Sequence, residues 1–242
     1  MTSMLASVRS FEEAQLALAC GADILDLKEP ARGALGAVSP ELARTVVSWA
    51  NRRVPISATV GDIYKDTGLV RQAVKAMVAT GVDVVKVGLF DEAERPQVLR
   101  TLEPFARGAV KLVGVLFADR SPNLAIGDVA AAGFFGVMID TSEKSSGSLR
   151  SHINGARLRE FVMTARGMGL RSGLAGGLTL EDITPLLECG PDYLGFRGAL
   201  CDNGQRQQTL NAERIGAVRA CIPRSGTDAW NSAPRNRICR VG

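Results

Sequence analysis

The sequence predicts a single (β/α)8 barrel of the α/β class, on three observations. Short β-rich runs alternate with longer helical patterns eight times, whereas an open doubly wound sheet more often has about five to seven strands. The 242 residues are close to the usual size of one such barrel. Glycine closes several helical patterns just before the next β-rich run, where a left-handed residue is wanted.

The first unit pairs a strand at 4–8 with a helix at 11–20, closed by Gly21. The second strand, 22–28, reads ADILDLK and alternates with period two. Leu25 and Leu27 point one way; Ile24, Asp26 and Lys28 point the other. After Pro30 and a loop bearing Gly33 and Gly36, a helix spans 39–52, where Ser39 is a capping side chain ahead of Pro40 in the first turn. A strand at 55–60 leads to a helix at 67–80, and a strand at 82–89 to a helix at 95–107. The second half repeats the alternation: strands at 111–118, 134–140, 171–177 and 193–197, helices at 124–132, 152–167, 179–189 and 211–221. Thr179 with Asp182 is an N-terminal cap signal. Residues 1–222 form the barrel domain. The stretch 223–242 is rich in Arg, Asn, Ser, Gly and Pro, lacks a period, and is expected to be a flexible tail.

Composition narrows the function classes. Apolar content of 46% with 22% charged residues is ordinary for a soluble globular protein, and no apolar run approaches the ~20 residues of a membrane span. The start lacks a secretory signal pattern, so a cytoplasmic location is expected. Five scattered cysteines without a CxxC pair argue against a disulfide framework or zinc site, and no other metal-ligand spacing occurs. The net charge of +4 is concentrated after Ile222, where four arginines face one aspartate. The body is nearly neutral, which gives no footprint for nucleic acid.

Active sites of such barrels lie at the carboxyl ends of the strands. Three even-numbered strands end in charge: Asp26 and Lys28 on the second, Lys86 on the fourth, and Asp140 on the sixth with Lys144 just beyond. Alternate strands feed the same interior layer, so these side chains are expected to converge. A single such pair would read as a surface ion pair, but matched parity on three strands does not. Only six lysines occur in this chain, and an amine, unlike a guanidinium, can give up its proton and become a nucleophile. Lys28 or Lys86 is therefore expected to form a Schiff base with a carbonyl, with Asp26 and Asp140 positioning amines and relaying protons. The glycine-rich ends LAGG and GFRGA place Gly176, Gly177, Gly198 and Ala199 where phosphate is usually held, with Arg197 adding charge. Asp62 follows the third strand and is a candidate at the rim. The sole histidine, His152, completes no triad and reads as structural or solvated.

The stretches GADILDLKEPARGALGA, SATVGD, VDVVKVGLF, MIDTSEK, LAGG and GFRGA, in this order, resemble the (5-formylfuran-3-yl)methyl phosphate synthase family from about residue 4 to 221. The resemblance implies conversion of two molecules of glyceraldehyde 3-phosphate into 4-(hydroxymethyl)-2-furancarboxaldehyde phosphate, with loss of phosphate and water, for methanofuran-type cofactors. It matches Lys28 to the Schiff-base lysine, Lys86 to the proton-accepting lysine, and Asp26, Asp140 and Lys144 to proton handling. It implies neither cofactor nor metal; the partners expected are a triose phosphate and further copies of the chain. The tail after Ile222 has no counterpart in the resemblance. Two other readings fit part of the pattern: a Schiff-base aldolase for a small phosphorylated sugar, and a non-catalytic barrel that binds a phosphometabolite.

Overall fold

Eight parallel strands close on themselves in sequence order. They are β1 (Ser3–Val8), β2 (Ile24–Leu27), β3 (Ile56–Thr59), β4 (Val84–Gly88), β5 (Lys111–Phe117), β6 (Gly136–Asp140), β7 (Arg171–Leu174) and β8 (Tyr193–Phe196). Closure is by β1 on β8, with Ser3 opposite Tyr193 and Ala6 opposite Phe196. The structure is a computed structural model that describes residues 1–108, 110–120, 124–143 and 147–224.

Nine helices among the described residues surround the strands. They are α1 (Phe11–Ala19), α2 (Pro40–Ala50), α3 (Thr67–Val78), α4 (Arg95–Ala106), α5 (Ile126–Ala131), α6 (Leu149–His152), α7 (Gly155–Gly167), α8 (Leu180–Leu187) and α9 (Ala212–Cys221). Caps set their starts as the sequence suggests. Ser39 accepts from Leu42 N–H, with Pro40 in the first turn, and Asp182 accepts from the N–H and hydroxyl of Thr179. Gly21 and Gly81, both at φ +87°, make the left-handed turns into β2 and β4. Several boundaries differ from expectation, most by one or two residues; the strand expected at 171–177 ends at Leu174, and the helix expected from residue 152 is divided. Asn154 accepts from Arg157 N–H and starts α7 at Gly155, which leaves Leu149–His152 as a separate turn. Of the tail expected at 223–242, residues 225–242 lie outside the described residues.

The period-two pattern sorts the core into two layers. Leu25, Leu27, Val85, Val87 and Leu89 face outward into the apolar layer between strands and helices. Ile24, Val84, Val113, Val115, Met138 and Tyr193 fill the barrel interior. Nearer the mouth, the β3 to β5 side is closed by stacked rings, Tyr64 on Phe90 at 4.8 Å and Phe90 on Phe117 at 4.3 Å between centroids. Gly88 is needed there, because a Cβ would lie 2.1 Å from the Phe90 ring. The opposite side of the mouth stays open.

Candidate active site

The open side is a cavity of about 620 Å3 whose lining includes Ser7, Asp26, Lys28, Lys86, Asp140, Gly176, Gly177, Gly198 and Ala199. Interior-facing positions of β2, β4 and β6 thus deliver their charges to one space. Asp26 is fully buried and Lys86 nearly so, with the Lys86 ammonium 2.9 Å from Asp26 Oδ1. Lys28 follows the last residue of β2 and continues its ladder through a hydrogen bond from its N–H to Val8 O. Its ammonium lies 3.8 Å from Asp140 Oδ2, a looser pair, while Asp140 Oδ1 accepts from Thr141 N–H at 2.7 Å.

Two serines complete the setting of Asp26. Ser7 and Ser57 stand directly opposite it in the parallel register, one on each neighbouring strand. Ser57 donates to Oδ1 at 2.6 Å and Ser7 to Oδ2 at 3.1 Å. Burial alone would push the Asp26 carboxyl up. The charges of Lys86 and Lys28 and the hydrogen bonds from Ser57 and Lys86 outweigh that cost and hold it below the ordinary carboxylate value. Sequence reasoning passed over both serines; the signal was available, since they are polar, interior-facing and in register with Asp26.

The glycine-rich ends of β7 and β8 border the same cavity. Gly176 has φ +111°, and a Cβ there would lie 2.9 Å from Thr141 N, so the close approach of β6 and β7 at this point requires glycine. Its carbonyl accepts from Leu149 N–H at 2.7 Å, which leads the chain into α6. Gly198 opens a 3-10 turn, Gly198–Leu200, whose first N–H groups have no acceptor within the turn.

Two expected positions serve other purposes. Arg197 lines the cavity, but all five of its N–H donors are engaged by protein. Nε donates to Arg206 O, Nη1 to Ser7 O and Glu13, and Nη2 to Glu13 and Gln208 O. The guanidinium is a clamp joining β8, β1, α1 and the following loop, and it has no donor left for a phosphate. Asp62 does not line the cavity. Its carboxylate accepts from Ala34 and Leu35 N–H at 2.8 and 2.7 Å and fastens the loop after β2. Lys144 lies outside the described residues. The cations that do reach the cavity rim, Arg206 in irregular chain after the last strand and Arg214 in the first turn of α9, were not singled out from the sequence.

His152 lines a separate, smaller cavity with Asp119, Arg120 and Arg157. Among the described residues no group of three or more His, Cys, Asp or Glu side chains is arranged to hold a metal, and no helix is long and apolar enough to cross a membrane.

The model of one protein family, described as 4-HFC-P synthase, matches residues 4–219. A Methylorubrum extorquens protein, named as a candidate (5-formylfuran-3-yl)methyl phosphate synthase, is 44% identical over 222 residues, 90% of each chain. The (5-formylfuran-3-yl)methyl phosphate synthase of Methanosarcina mazei is 36% identical over 88% of this chain and 95% of its own. Among solved structures, phosphoribosyl anthranilate isomerase from Thermus thermophilus superposes with a TM-score of 0.64 at 17% identity, covering 91% of this chain and 98% of that one. That likeness supports the TIM-barrel fold alone.

Proposed function

The chain belongs to the 4-HFC-P synthase family, an enzyme family, and on that premise we propose the reaction it catalyses. Two molecules of glyceraldehyde 3-phosphate condense into 4-(hydroxymethyl)-2-furancarboxaldehyde phosphate through a Schiff base on Lys28. The atoms balance when one phosphate and two waters leave, which makes the enzyme a lyase. The furan product is a precursor for methanofuran-type cofactors.

The observation that carries this reading is the meeting of two lysines and two aspartates in one cavity. A nucleophilic amine must be neutral. Lys86 is held at 2.9 Å by an aspartate that two serines fix in place, which suits it to moving protons beside the reacting carbon. Lys28, at the end of β2 and 3.8 Å from Asp140, is the amine that attacks a carbonyl. The carbinolamine loses water to an iminium, which draws electrons from the neighbouring carbon and acidifies its proton. Lys86 exchanges protons with that carbon, and Asp26 keeps a counter-charge beside it whichever way the proton moves. Asp140 assists proton transfer near Lys28, and Lys144 is assigned proton handling on the family resemblance alone. Backbone N–H groups of Gly176, Gly177, Gly198 and Ala199 receive a substrate phosphate.

The test is incubation with glyceraldehyde 3-phosphate and borohydride, followed by mass spectrometry of peptides and by absorbance of the conjugated furan aldehyde. An adduct on Lys28 and a rising furan signal are expected. An adduct with an aldol product instead would identify a Schiff-base aldolase, and absence of both adduct and phosphate release would reject the mechanism. Lys28→Arg keeps the charge and removes the nucleophile, so turnover should fall at least about 1000-fold.

A further inference from the structure

The condensation brings together two molecules that each carry a phosphate, so one cavity must hold two dianions. Its four central charges do not help. Lys28 and Lys86 are balanced by Asp26 and Asp140, and the pairs cancel. Arg197, the cation expected from the sequence, has no donor to offer. Among the described residues the other cations lining the cavity are Arg206 and Arg214, and they reach different loops of its rim.

Arg214 belongs to the side where β7 and β8 end, since its Nε donates to Ala199 O at 3.3 Å beside the glycine-lined turn. Arg206 reaches the other way. Its Nη2 donates to Gly33 O at 2.8 Å, in the loop that follows β2 and Lys28. Burial draws this guanidinium below its ordinary value, opposed by Asp140, reinforced by Arg197 and opposed again by Asp62 and Glu29, and it remains charged. Among the described residues only one of its five N–H donors is engaged, in contrast to Arg197. A half-buried guanidinium with open donors over a cavity is costly unless an anion fills it, and its planar fork matches two phosphate oxygens.

We propose that Arg206 anchors a second phosphate subsite on the β2 side of the cavity, apart from the glycine-lined subsite at the ends of β7 and β8. The two triose phosphates are then held at once by different groups, with their carbonyl ends directed to the lysines between. This rests on the two-substrate reading given above. It assigns Arg206 a binding role, and assigns the structural role to Arg197.

The probe is glycerol 3-phosphate, which carries the phosphate and carbon length of the substrate but no carbonyl, titrated calorimetrically into the full chain. The native protein should bind two equivalents. Arg206→Ala should keep the glycine-lined site and weaken the other about 10- to 100-fold. One equivalent in the native protein would overturn the proposal, as would two unchanged equivalents in the variant. Loss of both sites in Arg206→Ala would overturn it too, since Arg206 would then be supporting the cavity as a whole. The titration involves no turnover, so it is separable from the reaction itself. Absence of furan formation would reject the proposed chemistry and leave a two-site titration standing, whereas a single site would leave borohydride trapping at Lys28 untouched.

Discussion

Removing the cation from the Asp26–Lys86 pair gives a stability change whose pH dependence can be worked out in advance. Lys86→Met keeps the side-chain length and removes the charge, leaving Asp26 fully buried with Ser7, Ser57 and the more distant Lys28. Breaking a buried pair by removing one partner costs about 3 to 5 kcal/mol. For a chain of this size that corresponds to a fall in Tm of about 6 to 20 °C. In the native protein the Asp26 pKa is depressed, so its stabilising contribution is present above the unfolded value of about 3.9 and is lost as pH falls through the folded pKa. In Lys86→Met the strongest opposition to burial is gone, with Lys28, Ser57 and Ser7 remaining, and the Asp26 pKa rises. A raised carboxyl destabilises at neutral pH and recovers as it takes up a proton. The gap between the two proteins should therefore be greatest near pH 7, shrink as pH falls through the raised carboxyl of the variant, and level off below the depressed one of the native protein. Denaturant unfolding across that range measures it, with Asp26→Asn and the double variant completing a cycle. A coupling of about 1.5 to 3 kcal/mol is expected. A gap that stays constant with pH, or a coupling near zero, refutes the claim that Lys86 holds Asp26 ionised.

Two further variants separate structural from binding roles at the rim. Arg197→Lys retains a charge but not the five-donor fork shared by Glu13 and three carbonyls; the denaturant midpoint should drop by the equivalent of about 2 to 4 kcal/mol, and an unchanged midpoint would contradict the clamp. Asp62→Ala removes the acceptor of two backbone N–H groups, so hydrogen exchange at Ala34 and Leu35 should accelerate about 10- to 100-fold, and equal protection in both proteins would show that the loop holds itself.

Strand parity made much of this site legible. Because β-strand side chains alternate, Asp26, Lys28 and Lys86 had to share the interior with Ile24 and Val84 once Leu25, Leu27, Val85 and Val87 were assigned to the helices. The helix caps at Ser39 and Thr179 were local signals and could be read for that reason. What resisted reading was partner choice over long separations. Arg197 sits in a glycine-rich strand end suited to phosphate, yet it meets Glu13, 184 positions away, and no local pattern announces that contact. Asp62 was drawn to Ala34 and Leu35 by the same kind of distant pairing. Arg206 was missed because it lies in irregular chain, where periodicity says nothing about which side chain turns inward.

The division of the mouth explains why both lysines sit where they do. On the β3 to β5 side, Tyr64, Phe90 and Phe117 form a stacked apolar wall, and Gly88 gives Phe90 the room to lie against the barrel. On the β7 to β8 side, Gly176, Gly177, Gly195 and Gly198 keep side chains out of the cavity. Lys86 rises from β4 on the apolar side, where an unpaired ammonium would be most costly, and there it has the tight partner, Asp26. Lys28 faces the open side, where its pairing with Asp140 is loose. Both pairs nonetheless line one cavity, bordered by those glycines.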